Sequence, residues 1–160
     1  MNEKNNHAIV ALLSEYERAI TELQKVIEDI TETELMAIVD RLTANPDCVS
    51  IQTILTHVVS AGYSYCISIR NIKDNDAEPP EEMPRSTVAG YKRDLDDVIK
   101  FTYDTFAGIS DFELEEFDDS KKMLTSWGQR YDTEQIMEHA IVHILRHRRQ
   151  IEKFKNILRA

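Results

Sequence analysis

Apolar residues recur every third or fourth position through four long segments of this chain, and its 160 residues include only four Gly and four Pro. A period near 3.6 places such residues on one face of a helix. Scarce turn formers argue against a strand-and-turn architecture, since ordinary domains carry ~12% Gly plus Pro. In the first segment Ile9, Leu12, Leu13, Tyr16, Ile20, Leu23, Ile27 and Ile30 form the stripe. The second follows Asn45-Pro46-Asp47, is capped by Ser50, and presents Ile51, Ile54, Leu55, Val58, Gly62, Tyr65, Cys66, Ile69 and Ile72. Residues 71–84, with Asp74, Asn75, Asp76 and three prolines, read as a loop. Ser86 is the expected cap of the third helix, whose inward residues are Val88, Tyr91, Leu95, Val98, Ile99, Thr102 and Phe106, ending near Gly108. Residues 109–131 lack a clear period and read as a long connection with a helical turn. Its acidic run, residues 111–119, reads as solvated surface. The last helix starts at Asp132, with Gln135 completing a capping box, and runs to Leu158. These features predict an all-α protein, a four-helix bundle with long connections, in one domain spanning residues 1–160.

Charge and composition narrow the function classes. The formal net charge is −10, the wrong sign for tracking nucleic acid or an anionic membrane surface. The isolated glycines Gly62, Gly90, Gly108 and Gly128 form no phosphate-binding loop. No apolar run approaches the roughly 18–20 residues of a membrane span. Residues 1–6 are polar and of mixed charge, unlike a secretory leader, and there are only two cysteines. The expectation is a cytoplasmic protein with reduced thiols. Cys66 lies on the apolar stripe and Cys48 in a capping loop, so neither reads as a nucleophile.

The chemistry concentrates in histidine. His139, His143 and His147 climb the last helix at i, i+4 and i+8. Taking Ile136 as zero and ~100° per residue, His147 falls near 20°, inside the apolar face, with His143 near 340° and His139 near 300°. A buried imidazole without a partner costs on the order of 1–3 kcal/mol, and two stacked one turn apart need a common solution. A divalent metal is one, because histidines at i, i+4 direct their ring nitrogens to one point. His57, on the second helix beside Thr53, Ser60, Ala61 and Ser64, has small neighbours that leave room for such a site. The competing reading is that each imidazole is bonded to a carbonyl or hydroxyl. His7, near the N-terminus, is not a ligand candidate.

The segment from Ser50 to Val59, with Ile54-Leu55-Thr56-His57, and the run His143-Ile144-Leu145-Arg146-His147-Arg148-Arg149-Gln150 resemble the DinB-like metal-binding superfamily of four-helix proteins. The resemblance implies that His57, His143 and His147 are metal ligands and that Gln150 is the family's glutamine. Arg149 stands where the family usually has Gly. It further implies a divalent transition ion, with zinc or nickel foremost, and a low-molecular-weight thiol brought to it by an S-transferase or isomerase. Homodimers are common in that family. Three neutral imidazoles leave one open tetrahedral position, which suits an enzyme. The alternative is a non-catalytic stress-response or binding domain with a structural metal, closed by His139 or by a carboxylate between Asp132 and Glu138. His139 otherwise reads as support behind the ligands or as solvent-facing, Gln150 as support, and Trp127 and Tyr131 either as caps of the bundle end or as walls of a pocket over the metal. Tyr63, Tyr65, Phe101, Tyr103 and Phe106 read as core or contact residues.

Overall fold

The structure, a computed structural model, describes residues 6–72 and 77–160; Asp74, Asn75 and Asp76 of the expected loop lie outside the described residues. Helix predominates. The long helices are α1 (His7–Ile27), α3 (Ile51–Asn71), α4 (Val88–Phe106) and α5 (Thr133–Leu158), with a short α2 (Glu32–Met36) between the first two. Single 3-10 turns occupy Pro46–Cys48 and Asp111–Glu113, and two-residue strands β1 (Met123–Leu124) and β2 (Arg130–Tyr131) pair antiparallel.

The caps set the boundaries. Ser50 accepts from the Thr53 amide while the Thr53 hydroxyl accepts from the Ser50 amide, both at 3.1 Å. Asp132 and Gln135 exchange the same pair of bonds at 2.9 and 3.0 Å. The cap of α4 is Thr87 rather than Ser86: its hydroxyl accepts from the Gly90 amide at 3.1 Å. Both residues carry a hydroxyl, and only Thr87 directly precedes the first helical residue, Val88, with the extended backbone that aims its hydroxyl at the amide three positions on. The start of α1 is capped from the far end of the sequence, the Asp111 carboxylate accepting from the Ala8 and Ile9 amides.

Helix α1 packs on α5 and α4, and α3 packs on α4 and α5. The expected stripes meet between them: Ile20, Leu23, Ile27, Ile54, Leu55, Leu95 and Ile151 are wholly buried, each contributing roughly 1.5–3 kcal/mol of transfer free energy. Some stripe members depart from full burial, with Leu12, Val88 and Ile99 half-buried. Ile72 is 46% exposed at the end of α3, beyond the last layer of partners, and Tyr65 is only half-buried. At Gly62 a Cβ would stand 2.6 Å from Val98 Cγ1 and 3.1 Å from the Tyr16 hydroxyl, so glycine permits the close approach of α3 and α4. Ion pairs seal the opposite edge, where Arg148 meets Glu22, Lys155 meets Asp29, and Arg159 meets Asp29 and Glu34. Much of the positive charge of the last helix is thus spent against carboxylates of α1 and α2.

The 109–131 connection holds the expected helical turn and also a hairpin that the sequence does not announce. Two-residue strands are too short for alternation to register. The hairpin is closed by Thr125, whose hydroxyl donates to the Gln129 carbonyl at 2.8 Å, and by Gly128 at φ 87°, a backbone region that favours glycine. Among the described residues, no helix is long and apolar enough to cross a membrane.

Candidate metal centre

Helix α5 places His143 and His147 one turn apart, and α3 brings His57 against both from the facing helix. The three Nε2 atoms converge. His57 Nε2 lies 2.9 Å from His143 Nε2, and His147 Nε2 lies 3.1 Å from the same atom. Among the described residues these three form the one group of His, Cys, Asp or Glu with ligand atoms close enough to hold an ion, all within 4.8 Å of one another. A tetrahedral ion with ordinary metal–imidazole bonds needs its nitrogens about 3.3 Å apart. Adjustments of a few tenths of an ångström in the two short separations would meet that spacing.

The other ring nitrogens explain why convergence matters. Asp47 Oδ2 stands 3.3 Å from His57 Nδ1, and Gln150 Oε1 stands 3.1 Å from His147 Nδ1. An acceptor at Nδ1 keeps the proton there and leaves Nε2 as a bare lone pair. Two lone pairs therefore point at His143 Nε2, which carries at most one proton and can satisfy one of them. A cation among the three nitrogens satisfies all at once.

Protonation is disfavoured as well. Burial, then the neighbouring His147 and His57, push His143 down to about 3. His147 is lowered by burial and by His57, against the opposing bond to Gln150, and His139 is lowered by burial. Neutral imidazoles are the form in which metals are bound.

Beside the triad opens a cavity of about 500 Å³, with His57 and His143 in its wall. Trp127, carried by the hairpin, lines it and stacks on His139 with ring centroids 4.4 Å apart and planes 14° from parallel. His139 also lines the cavity, its ring 6.2 Å from that of His143, and stays outside the convergent group. Tyr131 meets Trp127 edge-on at 5.8 Å and lines a neighbouring cleft of about 270 Å³. Gln150 sits behind His147, where Cys48 Sγ also approaches its oxygen at 3.7 Å. Arg149 is exposed, so no close helix contact depends on a small residue there. His7 opens α1, exposed and apart from the triad.

Two contributors escaped the sequence reading. Asp47 belongs to a turn, where no periodicity ties it to His57; its place three residues before the Ser50 cap is the only hint. Tyr65 shares the period of the core stripe, yet it is only half-buried. Its ring lies 5.5 Å from His139 and 5.8 Å from His143, and it lines the cavity.

The site and fold thus define an all-α protein with three histidine nitrogens directed at one point. No protein-family model and no curated protein matches the chain.

Proposed function

We propose that this chain is a DinB-like four-helix bundle that binds one divalent transition ion through His57, His143 and His147 and acts as a metal-dependent enzyme on a small molecule. The observation that carries the reading is the meeting of three Nε2 atoms, with oxygens of Asp47 and Gln150 standing 3.3 and 3.1 Å from the Nδ1 atoms of His57 and His147. The pairing of α1 with α4 and α5, and of α3 with the same two helices, supports the bundle.

Each residue has a defined task. The three imidazoles hold the ion, while Asp47 and Gln150 orient two of them through Nδ1. A divalent ion held there would supply a Lewis acid. Openness favours this reading over a structural site: His139 and the carboxylates between Asp132 and Glu138 lie outside the convergent group, and two ligands face a cavity. The DinB-like resemblance directs the chemistry towards transfer of a low-molecular-weight thiol to an electrophile, with zinc or nickel as the metal.

Elemental analysis of the protein loaded with zinc or nickel and then desalted should find close to one ion per chain. His143→Ala and His147→Ala should lose it and His139→Ala should keep it; equal loss in all three would show that the ligand set is wrong. If metal-loaded protein fails to accelerate transfer of any small thiol across a broad electrophile screen, the non-catalytic alternative takes its place.

A further inference from the structure

The cavity beside the triad has walls of unusual chemistry for this chain. Charged side chains make up 30% of the sequence, yet among the described residues no Asp, Glu, Lys or Arg lines it. On the α3 side its wall is Ser60, Ala61 and Ser64, and the hairpin side presents Trp127, which is 42% exposed although large and aromatic. The Trp127 indole is held in place, its Nε1 donating to Gln129 at 3.0 Å while His139 stacks on the ring. Ser60, Ser64 and Tyr65 have no hydrogen-bonded protein partner for their hydroxyls among the described residues, so three uncharged polar groups are available to a ligand. Lys121 and Lys122 belong to the adjoining groove and face Asp118 and Asp119 at 3.8 and 3.2 Å.

An ionised group lying in the part of the cavity away from the histidines loses water and meets no charged side chain in the walls. A flat uncharged ring gains indole stacking and apolar burial. Resting on the metal-site reading above, we infer that the part of the ligand lying away from the ion is uncharged and aromatic, and that Trp127 is the surface that selects it. The same walls disfavour a ligand whose body carries carboxylates.

The test holds the donor to the metal constant and varies what is attached to it. Full-length protein loaded with Co²⁺ is titrated with imidazole, 4-phenylimidazole and urocanate, following the cobalt visible bands. 4-Phenylimidazole should bind about tenfold more tightly than imidazole, the size of effect expected of one good aromatic contact, and urocanate no more tightly than imidazole. Trp127→Ala should erase most of the 4-phenylimidazole advantage, and Ser64→Lys should shift preference towards urocanate. Urocanate equal to or tighter than 4-phenylimidazole in the wild type, or an advantage untouched by Trp127→Ala, would overturn the inference. Failure of Co²⁺ to bind strikes the metal site alone. The walls are then tested on metal-free protein through its single tryptophan: 4-phenylimidazole should quench Trp127 emission and urocanate should not, and absence of that difference overturns the inference.

Discussion

Acidifying the metal-free protein from pH 7 to pH 5 should expose the cost of holding three imidazoles together. His143 titrates near 3 in the folded chain and near 6.5 when unfolded. Between those values the unfolded chain binds the extra proton, so stability falls as pH falls. Integrating over pH 7 to 5, with the folded imidazole neutral throughout, this residue alone removes about 2 kcal/mol. Other groups act in the same window. His147, also lowered, adds to the loss, whereas Glu134, raised by burial and by Glu115, Glu138 and other carboxylates, opposes it. Asp29 and Glu34, held down to about 2 chiefly by Lys155 and Arg159, contribute stability that is lost only in more acidic solution, as pH falls through the ordinary carboxylate range. The informative quantity is therefore the difference between wild type and His143→Phe, which keeps a ring at that position and cannot titrate. Urea unfolding of both proteins at pH 7, 6 and 5, in the presence of a chelator, should show the wild type losing about 2 kcal/mol more than the variant. Identical pH dependence of the two proteins would refute the crowded, desolvated triad.

The residues behind the triad and the packing around Gly62 make two further claims. Asp47→Ala and Gln150→Ala should each weaken metal affinity by roughly 10–100-fold, as loss of an oriented imidazole partner does, in a competition titration against a chromophoric chelator. Asp47 is partly exposed, so the unfolding midpoint of metal-free Asp47→Ala should barely move; unchanged metal affinity would mean that the Nδ1 partners are incidental. Gly62→Ala should destabilise by about 1–3 kcal/mol in urea unfolding, because its Cβ would meet Val98 at 2.6 Å. A neutral result would mean that α3 and α4 have slack there.

The helices and their caps were readable because they are local. The stripes of α1, α3, α4 and α5 need only a 3.6-residue period, and Ser50 and Asp132 need only the residue three positions on. α2 escaped notice because five residues make little more than one turn, and the hairpin because its strands are two residues long. The placement of Thr87 over Ser86 turned on a single hydrogen bond between two chemically equivalent caps.

At the metal centre the division falls along the same physical line. The i, i+4 spacing of His143 and His147 is a property of one helix, and it already states that they face one point on the inner side of α5. That the point is shared with His57 depends on how α3 lies against α5, which is set by the sum of many core contacts and by a close approach at Gly62 to the neighbouring α4. The roles of Asp47, Tyr65 and Trp127 depend on packing still more. Asp47 and Trp127 sit on turns and Tyr65 on a helix flank, and each gains its meaning from a side chain on another element. Periodicity reports which face of an element is buried; distances across elements determine which ring nitrogen loses its proton and what the fourth side of the site opens onto.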